Sequence, residues 1–168
     1  MVIKLDESLM TLPGEDKYSA LRDVVMSSPA FSAIDRNRLL SAVIEREEEQ
    51  STYIGHGVSI AHGKIDGLKK TLIALGISDK GLSGDREPIH ILFAIASSPD
   101  NPGGYLKAVS SILTWVHMKE FREKLQRHDL SDPVVRIFLS MLKRQEFLDY
   151  FKALESRLKA HREGTPGL

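Results

Sequence analysis

The sequence predicts an α/β layer fold, with helices covering a central sheet. Short β-prone apolar runs are interspersed with amphipathic stretches of helical period, and glycine- and proline-rich turns separate them. A length of 168 residues with 42% hydrophobic content is enough for one buried core without disulfides or a structural metal.

The apolar start at residues 2–5 predicts a strand. Residues 18–26 predict a helix, with Leu21, Val24 and Val25 at helical spacing before the loop Ser27-Ser28-Pro29. Asp35 is the expected N-cap of a second helix, whose stripe is Leu39, Leu40, Val43 and Ile44 and whose charged end carries Arg46. Residues 51–64 set short β-prone pieces among glycines and predict a structured loop and strand. Residues 68–77 and 89–96 read as two buried strands joined by the polar turn 78–88. The segment 99–104 opens a helix running to about Val116, with Leu106, Val109, Ile112 and Leu113 expected on its inner face. A short helix over 119–126 follows.

Beyond Asp132-Pro133, Ile137, Leu139 and Leu142, then Phe147, Phe151, Leu154 and Leu158, form a helical stripe expected to pack on its own domain. The expected organisation is a main unit over residues 1–130, a helical extension over 131–162 and a flexible tail over 163–168.

Composition excludes several function classes. Lys plus Arg equals Asp plus Glu at 23 each, so no broad basic face is available for nucleic acid. Cysteine is absent, which excludes disulfides, thiolate metal sites and a cysteine nucleophile and fits a reducing compartment, the cytoplasm. No apolar run approaches the roughly 20 residues that span a bilayer, so direct membrane insertion is not expected.

The most unusual residue is His62, an imidazole among glycine-containing turns, suited to proton transfer, metal binding or nucleophilic attack. His56, His62 and His90 do not follow a recognised zinc spacing and no carboxylate cluster accompanies them, so no metal is expected. His117 and His128 lie near helix ends, where a structural role is expected.

The run from Glu45 to Lys64, Glu-Arg-Glu-x3-Ser-Thr-x-Ile-Gly-x-Gly-Val-x-Ile-x-His-Gly-Lys, narrows the choice. It resembles the active-site segment of fructose/mannitol-class enzyme IIA domains of the bacterial phosphotransferase system and of their nitrogen-branch regulatory relatives. The resemblance extends more loosely over residues 2–130, through the Pro-Ile-His-Ile-Leu-Phe-Ala-Ile-Ala strand and the Tyr-Leu-Lys-Ala-Val-Ser-Ser-Ile-Leu helix. It implies a central mixed sheet covered by helices on both faces, with an additional C-terminal helical element. It also implies that His62 accepts a phosphoryl group from a histidine carrier protein and passes it to a cysteine of a IIB component, with no cofactor.

A phosphoryl carrier of this kind needs a neutral ring nitrogen as nucleophile and positive charge and hydrogen-bond donors around the phosphoryl oxygens. Arg46 aligns with the family's arginine, and Ser51, Thr52 and Gly63 are the expected phosphate binders, Gly63 by allowing close backbone approach alongside Gly55 and Gly57. The sequence departs from the pattern at three positions. Ala61 stands for a proline, His56 (a possible auxiliary group) for an asparagine, and Tyr105 for the second active-site histidine. A regulatory module that controls a partner protein, or a domain that binds without being phosphorylated, are the alternative functions.

Overall fold

The computed structural model describes residues 3–6, 9–147 and 150–164, and the expected tail at 165–168 lies outside the described residues. Six strands, β1 (Ile3–Asp6), β2 (Leu9–Thr11), β3 (Tyr53–Gly55), β4 (Val58–Lys64), β5 (Leu72–Leu82) and β6 (Ile89–Ser97), form one sheet in the order β1-β2-β5-β6-β4-β3. The sheet is mixed: β2 with β5 and β4 with β6 are parallel, and the other neighbouring pairs are antiparallel.

The two-residue period of the central strands sorts their side chains into two cores. Ile91, Phe93 and Ile95 of β6 join Ile73, Leu75 and Ile77 of β5 on one face, beneath α3 (Pro102–Val116), α4 (Lys119–Gln126), α5 (Pro133–Arg144) and α6 (Tyr150–Arg162). Leu92, Ala94 and Ala96 face the other way, toward α1 (Lys17–Ser27) and α2 (Arg36–Glu49). Buried on both sides, β6 is a nearly continuous apolar run, as its sequence requires. The expected α/β fold, with a mixed sheet covered on both faces and C-terminal helices, is the observed one.

Several details differ from expectation. The strand β2 has only three residues, too few to show a period in the sequence, and it is defined by pairing with β1 and β5. Strand β5 begins at Leu72 rather than Leu68, after a turn at Gly67 (φ +81°), and continues to Leu82. Of the expected inner positions of α3, Ile112 is buried and Val109 packs against the core, but Leu106 and Leu113 are 63% and 40% exposed; Ala108, Ser111, Trp115 and Val116 complete the buried face. Trp115 sets that phase by packing its ring against Phe121, Phe138 and Tyr150, with centroids 5.0–5.4 Å away. The same cluster orients α6, where Tyr150 and Ala153 are buried while Phe151 and Leu158 of the expected stripe are exposed. No helix among the described residues is long and apolar enough to cross a membrane.

Candidate functional site

The site begins with the seat of α2 on β4. Asp35 caps the helix by accepting from the Arg38 amide at 3.1 Å. Leu39 and Val43 then press onto Gly63, where an added Cβ would stand 2.8 Å from Val43 Cγ2 and 3.0 Å from Leu39 Cδ1. That close seat brings the last turn of α2 to the end of β4. Arg46 projects from this turn, with Nη1 donating to the Gln50 carbonyl at 3.0 Å. Its neighbour Glu47 is buried in a separate network: Lys17 Nζ lies 3.1 Å from Glu47 and 3.3 Å from Asp85, with all three side chains nearly inaccessible.

The alternation of β4 turns Ala61 and Gly63 toward α2, and His62 and Lys64 toward α3. In the parallel pairing with β6, Lys64 is opposite Ser97, whose hydroxyl oxygen lies 2.6 Å from His62 Nε2. Tyr105 comes from the first turn of α3, which Asn101 caps by accepting from the Gly104 amide at 3.1 Å. The Tyr105 ring lies 3.9 Å from the His62 ring and 10° from parallel to it. Arg46, His62, Gly63, Lys64, Ser97 and Tyr105 line one cavity of about 680 Å³, with Glu45, Glu49 and Leu106 also on its wall.

Burial, and then the charges of Lys64 and Arg46, lower the His62 pKa to about 4. Burial also raises the Tyr105 phenol, with Arg46 opposing part of that rise. At neutral pH the cavity therefore holds a neutral imidazole and a neutral phenol, with Arg46, Lys64, Glu45 and Glu49 on its wall. This arrangement can attack an electrophile that carries negative charge.

Of the sequence-predicted residues, the structure brings His62, Arg46, Gly63 and Tyr105 together. Ser51 and Thr52 do not line the cavity. The Ser51 hydroxyl donates to Asp85, and the Thr52 hydroxyl donates to Glu47 at 2.6 Å, so both serve carboxylates of the buried network. Gly63 is required for helix packing, whereas Gly55 and Gly57 take positive φ in the β3–β4 turn. His56 lies between them at φ +55° and lines a different groove with Ile54, Leu106, Leu113 and Phe151. His90 lines a third cavity, its Nδ1 against the Ser78 carbonyl at 2.9 Å, so His56, His62 and His90 are not gathered. Among the described residues no cluster of three potential metal ligands occurs.

Sequence reasoning did not place Lys64 or Ser97 at the site. For Lys64 a signal existed, since two residues beyond His62 in a strand is the same face. Ser97 is 35 positions away and reaches His62 only through the β4–β6 pairing.

The cavity thus places a buried, neutral histidine beside Arg46 and Lys64, near the end of β4 in a mixed sheet. The chain belongs to the family described as phosphoenolpyruvate-dependent sugar phosphotransferase system, EIIA 2, whose model matches residues 2–141. The match takes in most of α5 and leaves α6 outside. The chain is 32% identical over 132 residues to a fructose-specific EIIABC component of Bacillus subtilis (strain 168), covering 76% of this chain and 21% of that protein. It is also 32% identical over 127 residues to a fructose-specific EIIA component of Haloferax volcanii, covering 74% of this chain and 80% of that protein. The nitrogen regulatory protein IIA-Ntr of Neisseria meningitidis has the same fold, at TM-score 0.63 and 21% identity over 72% of this chain and 86% of that one. So does the mannitol enzyme IIA of Escherichia coli, solved in complex with phosphorylated enzyme IIB, at TM-score 0.60 and 17% identity over 73% and 88%.

Proposed function

We propose that His62 accepts a phosphoryl group from a phosphorylated histidine carrier protein and hands it to the cysteine of a IIB component. The observation that carries this reading is the state of His62: 7% exposed, clamped between Tyr105 and Ser97, and kept neutral beside two cations. A neutral imidazole keeps one ring nitrogen free to attack phosphorus, while the other retains its proton. The donor's N–P bond breaks as the new one forms, and the electron pair returns to the donor's ring. Arg46 faces the incoming charge. Family membership supports the transfer, and the complex of the mannitol enzyme IIA with its phosphorylated IIB supports the class of acceptor.

The test is incubation of the purified protein with phosphoenolpyruvate, enzyme I and histidine carrier protein from its own source, followed by intact mass. The expected result is one acid-labile phosphate on the wild type and none on His62→Ala. An unlabelled wild type, or a labelled His62→Ala, overturns the assignment. Adding candidate IIB proteins to the labelled form then shows whether the phosphoryl group moves on or stays to control a partner.

A further inference from the structure

We propose that Lys64 is a catalytic residue of this site, providing the second positive charge that meets the phosphoryl oxygens beside Arg46. The proposal rests on His62 being the phosphoryl acceptor.

Transfer brings a group with up to two negative charges into the cavity, and charge stabilisation is the main contribution a protein can make to it. The groups already assigned do not balance that charge. Tyr105 offers a hydroxyl but no charge, and its phenol is pushed further from ionisation by burial. Arg46 is one cation, with one guanidinium nitrogen engaged by the Gln50 carbonyl. Glu45 and Glu49 line the same cavity and oppose an anion. A further cation is needed, and Lys17, close to the same end of α2, is committed to Glu47 and Asp85.

Lys64 meets the requirement on position. It follows His62 by two residues in β4, so the strand places both side chains on one face. It is exposed, lines the His62 cavity, and has no ion pair among the described residues. Its ammonium group has three donors on a flexible stem, which suits oxygens that move during transfer. The electrostatic coupling agrees with this placement: Lys64 suppresses protonation of His62 more than Arg46 does.

During the step, the unprotonated nitrogen of His62 forms a bond to phosphorus and the N–P bond of the donor phosphohistidine breaks. The electron pair goes to the donor ring, and no proton is transferred to or from Lys64. Its role is to hold the three phosphoryl oxygens while they pass between the two rings.

The experiment is single-turnover phosphorylation by phosphorylated histidine carrier protein, across donor concentrations, for wild type, Lys64→Gln, Lys64→Arg and the double variant Lys64→Gln/Tyr105→His. Loss of the charge should lower the maximal rate about ten- to a hundredfold, with the half-saturating donor concentration changed by less than about threefold. Lys64→Arg should stay within about threefold of wild type, because charge and donors remain. In the double variant, a histidine in place of the stacked phenol should recover at least about fivefold of the lost rate, since a protonatable ring then lies beside His62. An unchanged maximal rate in Lys64→Gln overturns the proposal, as does a change confined to the half-saturating concentration, which would make Lys64 a docking charge. Failure to label the wild type instead removes the phosphoryl reading itself, and the proposal with it.

Discussion

The Tyr105 phenol ring lies flat on the His62 imidazole, with centroids 3.9 Å apart and planes within 10° of parallel. Tyr105 covers one face of the imidazole, and Ser97 meets its edge at Nε2. The ring cannot swing out of its plane without leaving one of these partners. It also lacks the hydration that would stabilise its protonated form, so one contact both positions the imidazole and holds it neutral.

The first prediction is the titration of His62. By nuclear magnetic resonance its midpoint should lie near 4, and Tyr105→Ala, which opens one ring face to water, should raise it toward the ordinary value of 6.5. The depressed folded-state value also sets a stability change. The unfolded chain binds a proton on this residue as pH falls below 6.5, while the folded chain does so only near 4. The contribution of His62 to stability is therefore complete above pH 6.5 and is lost as pH falls from about 6.5 to about 4, by an amount on the order of 3 kcal/mol. His62→Gln, which cannot titrate, should show a flatter loss of stability across that window in denaturant melts.

The second concerns the buried cation at the other side of α2. Lys17, Glu47 and Asp85 have side chains only 6%, 1% and 4% exposed. Removing the cation leaves two carboxylates facing each other without compensation, so Lys17→Met should cost about 3–5 kcal/mol in urea unfolding. Neutralising the acids in the same chain, as Glu47→Gln with Asp85→Asn, should recover part of that loss. A single substitution with no measurable cost would show that the network is not a folding determinant.

Gly63 carries the third prediction. A methyl group there meets Val43 and Leu39 closer than side chains pack, and relief requires α2 to lift from β4. Gly63→Ala should cost about 1–3 kcal/mol. Because Arg46 moves with α2, its phosphorylation rate should also fall, and the combined Gly63→Ala/Val43→Ala variant should regain rate as space is returned.

His56 supplies the contrasting case. It sits at φ +55° in a turn and away from the His62 cavity. His56→Asn and His56→Gly fit that backbone conformation, so stability should change by less than about 1 kcal/mol. The rate of labelling should be unaltered within about twofold, and a larger loss would show that the turn contacts the donor.

The apolar run of β6, the cap at Asp35 and the helical periods of α1 and α2 were legible in the chain because each depends on neighbours within a few residues. The phase of α3 was not legible, since Leu106, Leu113 and Trp115 are all apolar and only the aromatic cluster with Phe138 and Tyr150 decides which of them turns inward. Ser51 and Thr52 lie outside the His62 cavity for a related reason. A hydroxyl accepts whatever partner the fold supplies, and here the fold supplies Asp85 and Glu47.

The sequence by itself determined the layered α/β class, the family resemblance and the segment that carries His62 and Arg46, because these are written in local period and in a contiguous motif. Tertiary structure alone decided how the partners of His62 meet it. Ser97 arrives through a parallel strand pairing and Tyr105 through the docking of α3, contacts between residues 35 and 43 positions apart in the chain. The charge state of His62 follows from those contacts, because burial and neighbouring cations exist only once the sheet and helices have closed around it.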